Sequence, residues 1–461
     1  MTTQATAFTL QRLAPLLAVA KERAALSGTS VMASLAQPLD WTPSPLQTFA
    51  AGMGREAQRR FWARPSDDFW MVGLGQAWVP PSFAMQRAWR ALQAEAVVEA
   101  PARQGVGPVL LSGLPFDAEA SPDPAWRNFG ASAVLLPRLL FTWQGKQCWL
   151  TVNVLVGRRT DAEHETAKIA MAVEELSQGT YVSLRQPPSK MLAETSPADW
   201  QVRMEAALAA VRSGKVSKVV LARRKTLYAP VPFSVEAALD SLTNAYPGCA
   251  VFALDQGHAC FLGASPESLV RLEHGQVRLR CMAGTVVRGA TPQDDESLAC
   301  QLLASEKDRR EHAAVVLQVA EGLQCLCDGL VWDEQPQVVR LKTLQHLATA
   351  FQGHAREGKD ILDMAAALHP TPAVGGTPKA AAISLVRKLE GDRGWYAGPV
   401  GWLDAQGDGE FWVGIRSALV RGNQATLYAG AGIVAGSQSE QEYQETEWKF
   451  QPMFKALSPG D

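Results

Sequence analysis

Beyond about residue 200 the chain groups short apolar runs into blocks and sets helical stretches between the blocks. Strands are expected at Ser217 to Tyr228, Cys249 to Leu254, Cys260 to Ala264, Ser268 to Glu273 and Gln276 to Met282. His274-Gly275 separates the last two and predicts a hairpin. A long helix is expected from about Glu296 to Cys327, and another from about Thr377 to Glu390, with Thr377 as N-cap and Pro378 in the first turn. Strands return at Trp395 to Leu403, Glu410 to Val420 and Gln424 to Tyr428, and a last helix runs from about Gln438 to Lys455. Strand blocks between helix blocks argue for an α+β fold, not a wound parallel sheet: large, mostly antiparallel sheets forming a sandwich flanked by helices.

Residues 1–200 are richer in Ala, Pro and Trp. Phe69 to Trp78, Val109 to Leu114 and Gln147 to Val156 read as strands, Asp199 to Ser213 and Ala162 to Leu176 as helices. The expected organisation is a variable N-terminal α/β part, 1–200, that completes the fold of a region, 201–461, holding the chemistry in one fused unit. At 461 residues and 47% apolar, the chain has material for a large core. Its 44 basic and 46 acidic side chains nearly cancel, with no basic block, which argues against nucleic acid or a membrane surface as partner. No apolar run approaches the roughly 20 residues a membrane span needs. Leu13 to Ala20 is short for a signal core and is interrupted by Pro15. Seven cysteines without a C-x-x-C pair read as reduced thiols, and a cytoplasmic enzyme acting on a small molecule is the expectation.

Several motifs bear on chemistry. Gly430-Ala-Gly432-Ile-Val-Ala-Gly436 superficially resembles a dinucleotide loop but lacks the following strand and acid, so it reads as a strand-to-helix turn or as bare amides able to meet a carboxylate. No P-loop is present. Glu442, Glu445 and Lys449 share one face of the last helix, and Asp308 and Glu311 share a face of the long one. Beyond His312 the long helix turns apolar, and a carboxylate at such a boundary is costly to bury without a cation. Two such carboxylates from separate helices suit a hard, oxygen-liking ion such as Mg²⁺. His369 to Pro378 is a proline-stiffened loop, either a rigid connector or a presenter of amides to an anion. Lys218 lies among small apolar residues of its strand, either reaching outward or acting as a base.

Eight strings in order then resemble the chorismate-utilising enzymes: Ser217-Lys-Val-Val-Leu-Ala-Arg223, Phe261-Leu-Gly-Ala-Ser-Pro-Glu267, Ala283-Gly-Thr285, Lys307-Asp-Arg-Arg-Glu-His312, His369-Pro-Thr-Pro-Ala-Val-Gly-Gly376, Gly414-Ile-Arg416, Tyr428-Ala-Gly-Ala-Gly432 and Glu442-Tyr-Gln-Glu-Thr-Glu-Trp-Lys449. The resemblance covers residues 200–455. It implies Mg²⁺ held by Glu311 and Glu445, with Asp308 and Glu442 as second-shell or water-mediated ligands. It also implies a substrate carboxylate held by Arg416 and Tyr396, and a pocket lined by Gly284, Thr285, Gly430, Gly432 and Lys449, with His346 (in Leu341-Lys-Thr-Leu-Gln-His346) as neighbour.

Relatives that add ammonia usually carry glutamine at the position of Lys218, and those using a covalent lysine carry it where Ala283 stands. Lys218 with Ala283 is the pattern of the water-adding members, the isochorismate and salicylate synthases. The implied reaction is Mg²⁺-dependent conversion of chorismate to isochorismate. Lys218 would be the base that activates water at C2, and Glu267 the acid at the C4 hydroxyl. Release of isochorismate is favoured over onward elimination of pyruvate to salicylate. An ammonia-using anthranilate-type lyase and a non-catalytic chorismate-binding subunit are the remaining alternatives. A monomer without a glutaminase partner is expected, feeding quinone, siderophore or salicylate synthesis.

Overall fold

A computed structural model describes residues 11–54, 58–81, 85–129, 134–178, 184–340 and 344–458. Among these, two sheets carry the fold. The larger has 13 strands. Its central path runs from Lys218–Tyr228 through Gln424–Ile433, Ser417–Arg421, Cys260–Ser265 and Ala250–Asp255, then Arg59–Arg64, Phe69–Leu74, Leu139–Gln144, Gln147–Val156 and Val31–Pro38. The smaller has eight, with Leu344–Ala355, Gln276–Val287, Ser268–Glu273, Gly409–Val413, Pro399–Asp404 and Val109–Gly113 adjacent in that order. Val31–Pro38 pairs parallel with Val97–Glu99, whereas the other pairs described here are antiparallel. The expected α+β sandwich is thus what the chain forms, and strands from before and after residue 200 share both sheets.

Side-chain alternation explains the layering. In Ala250–Asp255, Ala250, Phe252 and Leu254 enter the core between the sheets, and Val251 and Ala253 face the helices outside. Trp62, flanked by Phe61 and Ala63, divides the same way. Helices Leu13–Ser27, Ala162–Ser177, Val235–Ala245 and Ser439–Leu457 cover the outer face of the large sheet. Glu306–Gln324 packs Val315, Val319 and Leu323 against the smaller sheet. No described helix is long and apolar enough to cross a membrane.

Four expectations are corrected. The long helix from Glu296 is two helices, Pro292–Ala304 and Glu306–Gln324, and Cys327 opens a strand. Ser305 leaves helical geometry and its hydroxyl accepts from the Asp308 amide, a cap signal hidden inside a helical period. Glu410 to Val420 is not one strand: Gly409–Val413 belongs to the smaller sheet and Ser417–Arg421 to the larger. Arg416 makes the transfer between them with φ +50°. The strand placed at Trp395 begins at Pro399. Thr377 pairs with Lys218 in a short strand, so Pro378 takes the cap position and the helix starts at Lys379.

Candidate active site

Lys218 opens the Lys218–Tyr228 strand, next to the short Gly376–Thr377 strand that ends the large sheet. Its side chain, 14% exposed, does not reach outward; its ammonium donates to Glu311 Oε1 at 2.6 Å. Glu311 comes from the first turns of Glu306–Gln324. The strand end is pinned by the proline-stiffened loop: Ser217 N donates to Thr377 O and Val220 N to Gly375 O. A Cβ at Gly376 would stand 2.3 Å from the Lys218 carbonyl oxygen, so only glycine lets the loop come this close.

Gly430 and Gly432 lie inside the Gln424–Ile433 strand, opposite Ala222 and Val220, and not in the turn that the sequence suggested. They make room. A Cβ on Gly432 would stand 2.9 Å from Lys218 Cε, and one on Gly430 would stand 3.0 Å from the Tyr396 hydroxyl. The Gly430 carbonyl accepts from Lys449 Nζ at 2.8 Å. Lys449 also donates to Glu445 one helical turn away; the lysine turns inward to the Gly430 carbonyl, while the Glu445 side chain stays partly open to solvent. Burial holds the Lys449 ammonium below its ordinary range, Arg416 and Lys218 add to this, and Glu445 works against it. Burial likewise raises the Glu442 carboxyl, and the charge of Glu445 adds to that.

On the smaller sheet, a bulge between Ala283 and Thr285 places Gly284 at φ +75°. A Cβ there would stand 3.1 Å from that of Asp308, whose carboxylate bonds the Ser305 hydroxyl. Thr285 Oγ1 and His346 Nδ1 are 2.9 Å apart. Burial, then the charges of Arg416 and Lys449, push His346 down to about 4, so the imidazole is neutral. Leu341, Lys342 and Thr343 of its string lie outside the described residues.

Arg416 and Tyr396 meet where the sheets join. Burial lowers the Arg416 guanidinium from its usual value, against the pull of Tyr396 and Glu267. Burial pushes the Tyr396 phenol up to about 12, and its ring stacks on Tyr428 with centroids 5.2 Å apart. A Cβ at Gly263 would stand 2.8 Å from the Arg416 carbonyl oxygen, which explains the glycine in the Phe261 string. Glu267, at the end of that string, is raised by burial while Arg416, Lys449 and Lys218 pull it back. Every candidate residue is therefore tied by contact or by charge to at least one other.

Sequence reasoning passed over the frame of this pocket. Arg393 forms a fork on Glu390 at 2.7 and 2.8 Å and donates to the carbonyls of Val374 and Val220. It thereby ties the Tyr396 turn to the Lys218 strand. Arg223, fully buried, donates to Thr446 and Glu447 and lies 3.3 Å over the Tyr443 ring, locking the Glu445 helix to the same strand. The charged residues among glycines in Glu390-Gly-Asp-Arg-Gly394 were the readable signal for the first of these.

The oxygen-rich acids suit Mg²⁺ by donor type, and the mutually repelling Glu442 and Glu445 are the arrangement a cation relieves. Among the described residues no group of three or more His, Cys, Asp or Glu side chains converges closely enough to hold an ion. Lysines are what engage Glu311 and Glu445.

Residues 19–458 match the family model described as chorismate binding enzyme, and the chain belongs to that family. It is 34% identical to isochorismate synthase MenF of Bacillus subtilis over 90% of this chain and 91% of that protein. It is 35% identical to the salicylate biosynthesis isochorismate synthase of Pseudomonas aeruginosa, over 91% of this chain and 88% of that one. The solved structure of MenF, the menaquinone-specific isochorismate synthase from Escherichia coli, matches with a TM-score of 0.78 at 26% identity, covering 96% of this chain and 99% of that one.

Proposed function

We propose that the chain is an isochorismate synthase that converts chorismate to isochorismate by adding water at C2 and expelling the C4 hydroxyl. The observation that carries this reading is the gathering of Lys218 and Glu267 in one electrostatic neighbourhood with Arg416 and Lys449. Lys218 takes a proton from the attacking water. Glu267, raised by burial above an ordinary carboxyl, gives its proton to the departing hydroxyl as the ring double bonds shift. Arg416 and Tyr396 hold a substrate carboxylate, with Arg supplying the two-pronged geometry. Gly284, Thr285, Gly430, Gly432, Lys449 and neutral His346 line the pocket.

Glu311 and Glu445 would hold Mg²⁺, with Asp308 and Glu442 behind them, and the bound ion would supply positive charge toward an anionic substrate. For Lys218 to serve as base its nitrogen must exchange Glu311 for water, so the 2.6 Å contact describes a resting arrangement. With Ala283 in place of a nucleophilic lysine, no covalent route competes. The proposal includes a monomer in the cytoplasm, without a glutaminase, in which residues 1–200 complete the fold and 201–461 supply the reacting groups.

The test is incubation of purified protein with chorismate and Mg²⁺, followed by chromatography. Isochorismate accumulating without pyruvate is the expected result. Salicylate with stoichiometric pyruvate would reassign the chain to salicylate synthesis, and absence of any product would remove the reading.

A further inference from the structure

One side chain of the N-terminal part packs against Trp395 and Tyr428, the immediate neighbours of Tyr396. Trp126, 2% exposed, packs its ring 5.3 Å from Phe261, 5.5 Å from Trp395 and 5.8 Å from Tyr428, centroid to centroid. Tyr428 is the ring on which Tyr396 stacks. Trp126 also lies flat against the Gly394 backbone: a Cβ there, at φ +57°, would come within 2.1–2.3 Å of three ring atoms. Gly394 begins the turn that delivers Trp395, Tyr396 and Ala397. That turn reaches Arg416 as well, since Ala397 N donates to Gly414 O and Gly414 N to Gly398 O.

The segment bearing Trp126 is anchored on the same turn. Asp123 N donates to Asp392 Oδ2 at 3.0 Å, and Asp123 Oδ2 accepts from Arg224 at 2.9 Å. Arg224 donates onward to Asp392 O at 2.6 Å, and Asp392 accepts the Gly394 amide at 2.7 Å. Phe116 N donates to Gly394 O at 2.7 Å.

We propose that Trp126 is a positioning residue for Tyr396 and Arg416, so that the segment from Phe116 to Phe129 belongs to the working substrate site. Its ring sets the height of the Tyr428–Tyr396 stack and the course of the Gly394–Gly398 turn. Both carboxylate holders move when it is trimmed. The inference rests on the proposed function, because chorismate is the probe.

The experiment compares wild type with Trp126→Phe, Trp126→Ala and Asp123→Ala, measuring kcat, KM and calorimetric binding of chorismate alongside thermal midpoints. Phe141→Leu, a cut into the core on the far side of the large sheet, is the control for simple destabilisation. Trp126→Ala is expected to raise KM about tenfold with kcat changed less than about threefold, since small displacements of positioning groups weaken productive binding. Trp126→Phe and Asp123→Ala should show the same split more weakly, and they carry the readout if the alanine variant does not fold. Phe141→Leu should lower the midpoint and leave KM alone. Folded variants with unchanged KM and chorismate affinity, or a control that raises KM equally, would overturn the inference while leaving the function intact. A wild-type protein that binds no chorismate would overturn the function, and this inference with it.

Discussion

Lys218 Nζ donates to Glu311 Oε1 across 2.6 Å, joining the last long strand of the large sheet to a helix packed on the smaller one. One contact thus links the residue assigned to proton removal with a carboxylate assigned to the metal. Replacing Lys218 by alanine removes the base and leaves the surrounding backbone paired. Isochorismate formation is expected to fall roughly 10²- to 10⁴-fold, the usual worth of a positioned general base. Progress curves on chorismate measure this, and wild-type rates in the variant would withdraw the assignment.

Glu311→Gln and Glu445→Gln address the other end of the contact. Each keeps the side-chain shape and removes a charged oxygen ligand. The Mg²⁺ concentration for half-maximal activity should rise at least roughly 10- to 100-fold, the scale seen when even an outer partner of a metal ligand is lost. Chelation by EDTA should silence the wild type, and added Mg²⁺ should restore it. An unchanged Mg²⁺ requirement in both variants would mean that the ion sits elsewhere.

Lys218 was legible from its own surroundings, because a charged residue among small apolar ones has few uses, whereas Glu267, Arg416 and Lys449 became candidates only through the resemblance to the chorismate-utilising enzymes. Trp126 was not, because its importance arises only when strands from distant parts of the chain bring it under one turn, and the signal at Arg393, charges set among glycines, does not say what the side chain meets. The break between Gly409–Val413 and Ser417–Arg421 was hidden by apolar alternation on both sides of it. Only the positive φ of Arg416 marks it, and a sequence does not print φ. Gly430 and Gly432 resembled a turn because glycine signals backbone freedom; here they are strand residues whose missing Cβ admits Tyr396 and Lys218.

That vacancy is testable at Gly432. An alanine there would place its Cβ 2.9 Å from Lys218 Cε, tighter than van der Waals contact allows, and Lys218 is the group free to yield. The strand should persist, so the thermal midpoint is expected to move by only a few degrees. kcat should drop, by up to about 10²-fold for a displacement near 1 Å. A variant with wild-type kcat would show that Lys218 reaches its substrate from another rotamer.

Glu410 ties the two sheets together. Its carboxylate accepts the indole N–H of Trp62 at 3.0 Å, of Trp402 at 3.1 Å and of Trp412 at 3.2 Å, and Arg64 Nε lies 2.9 Å away. Trp62 and Arg64 belong to the large sheet, Trp402 and Trp412 to the smaller. Glu410→Ala leaves the buried indoles of Trp62 and Trp402 and the half-buried one of Trp412 without this acceptor, and leaves buried Arg64 with Asp67 as its carboxylate partner. Loss of one partner of such a group costs about 3–5 kcal/mol, which urea denaturation should register as a lower midpoint. A loss below about 1 kcal/mol would mean that water replaces the carboxylate.

Asp404 adds a pH dependence of stability. It is buried beside Asp408, and burial first, then the Asp408 charge, push it up to about 7, although the Gln406 and Asp408 amides favour its ionised form. Its ordinary value is 3.8. Between these values the folded chain binds more protons than the unfolded one, so stability falls as pH rises from about 4 to about 7 and levels off above. Three units correspond to about 4 kcal/mol for this group alone, at about 1.4 kcal/mol per unit. Asp404→Asn keeps an oxygen for the same amides and carries no charge, so it should flatten that part of the curve and raise the urea midpoint at pH 8. The groups facing Asp404 and Asp408 include His274, whose amide donates to Asp408 at 2.7 Å and whose ring nitrogen lies 3.7 Å from it. His274→Ala in the Asn background separates the histidine contribution, and an unflattened slope in Asp404→Asn would place the dependence on another group.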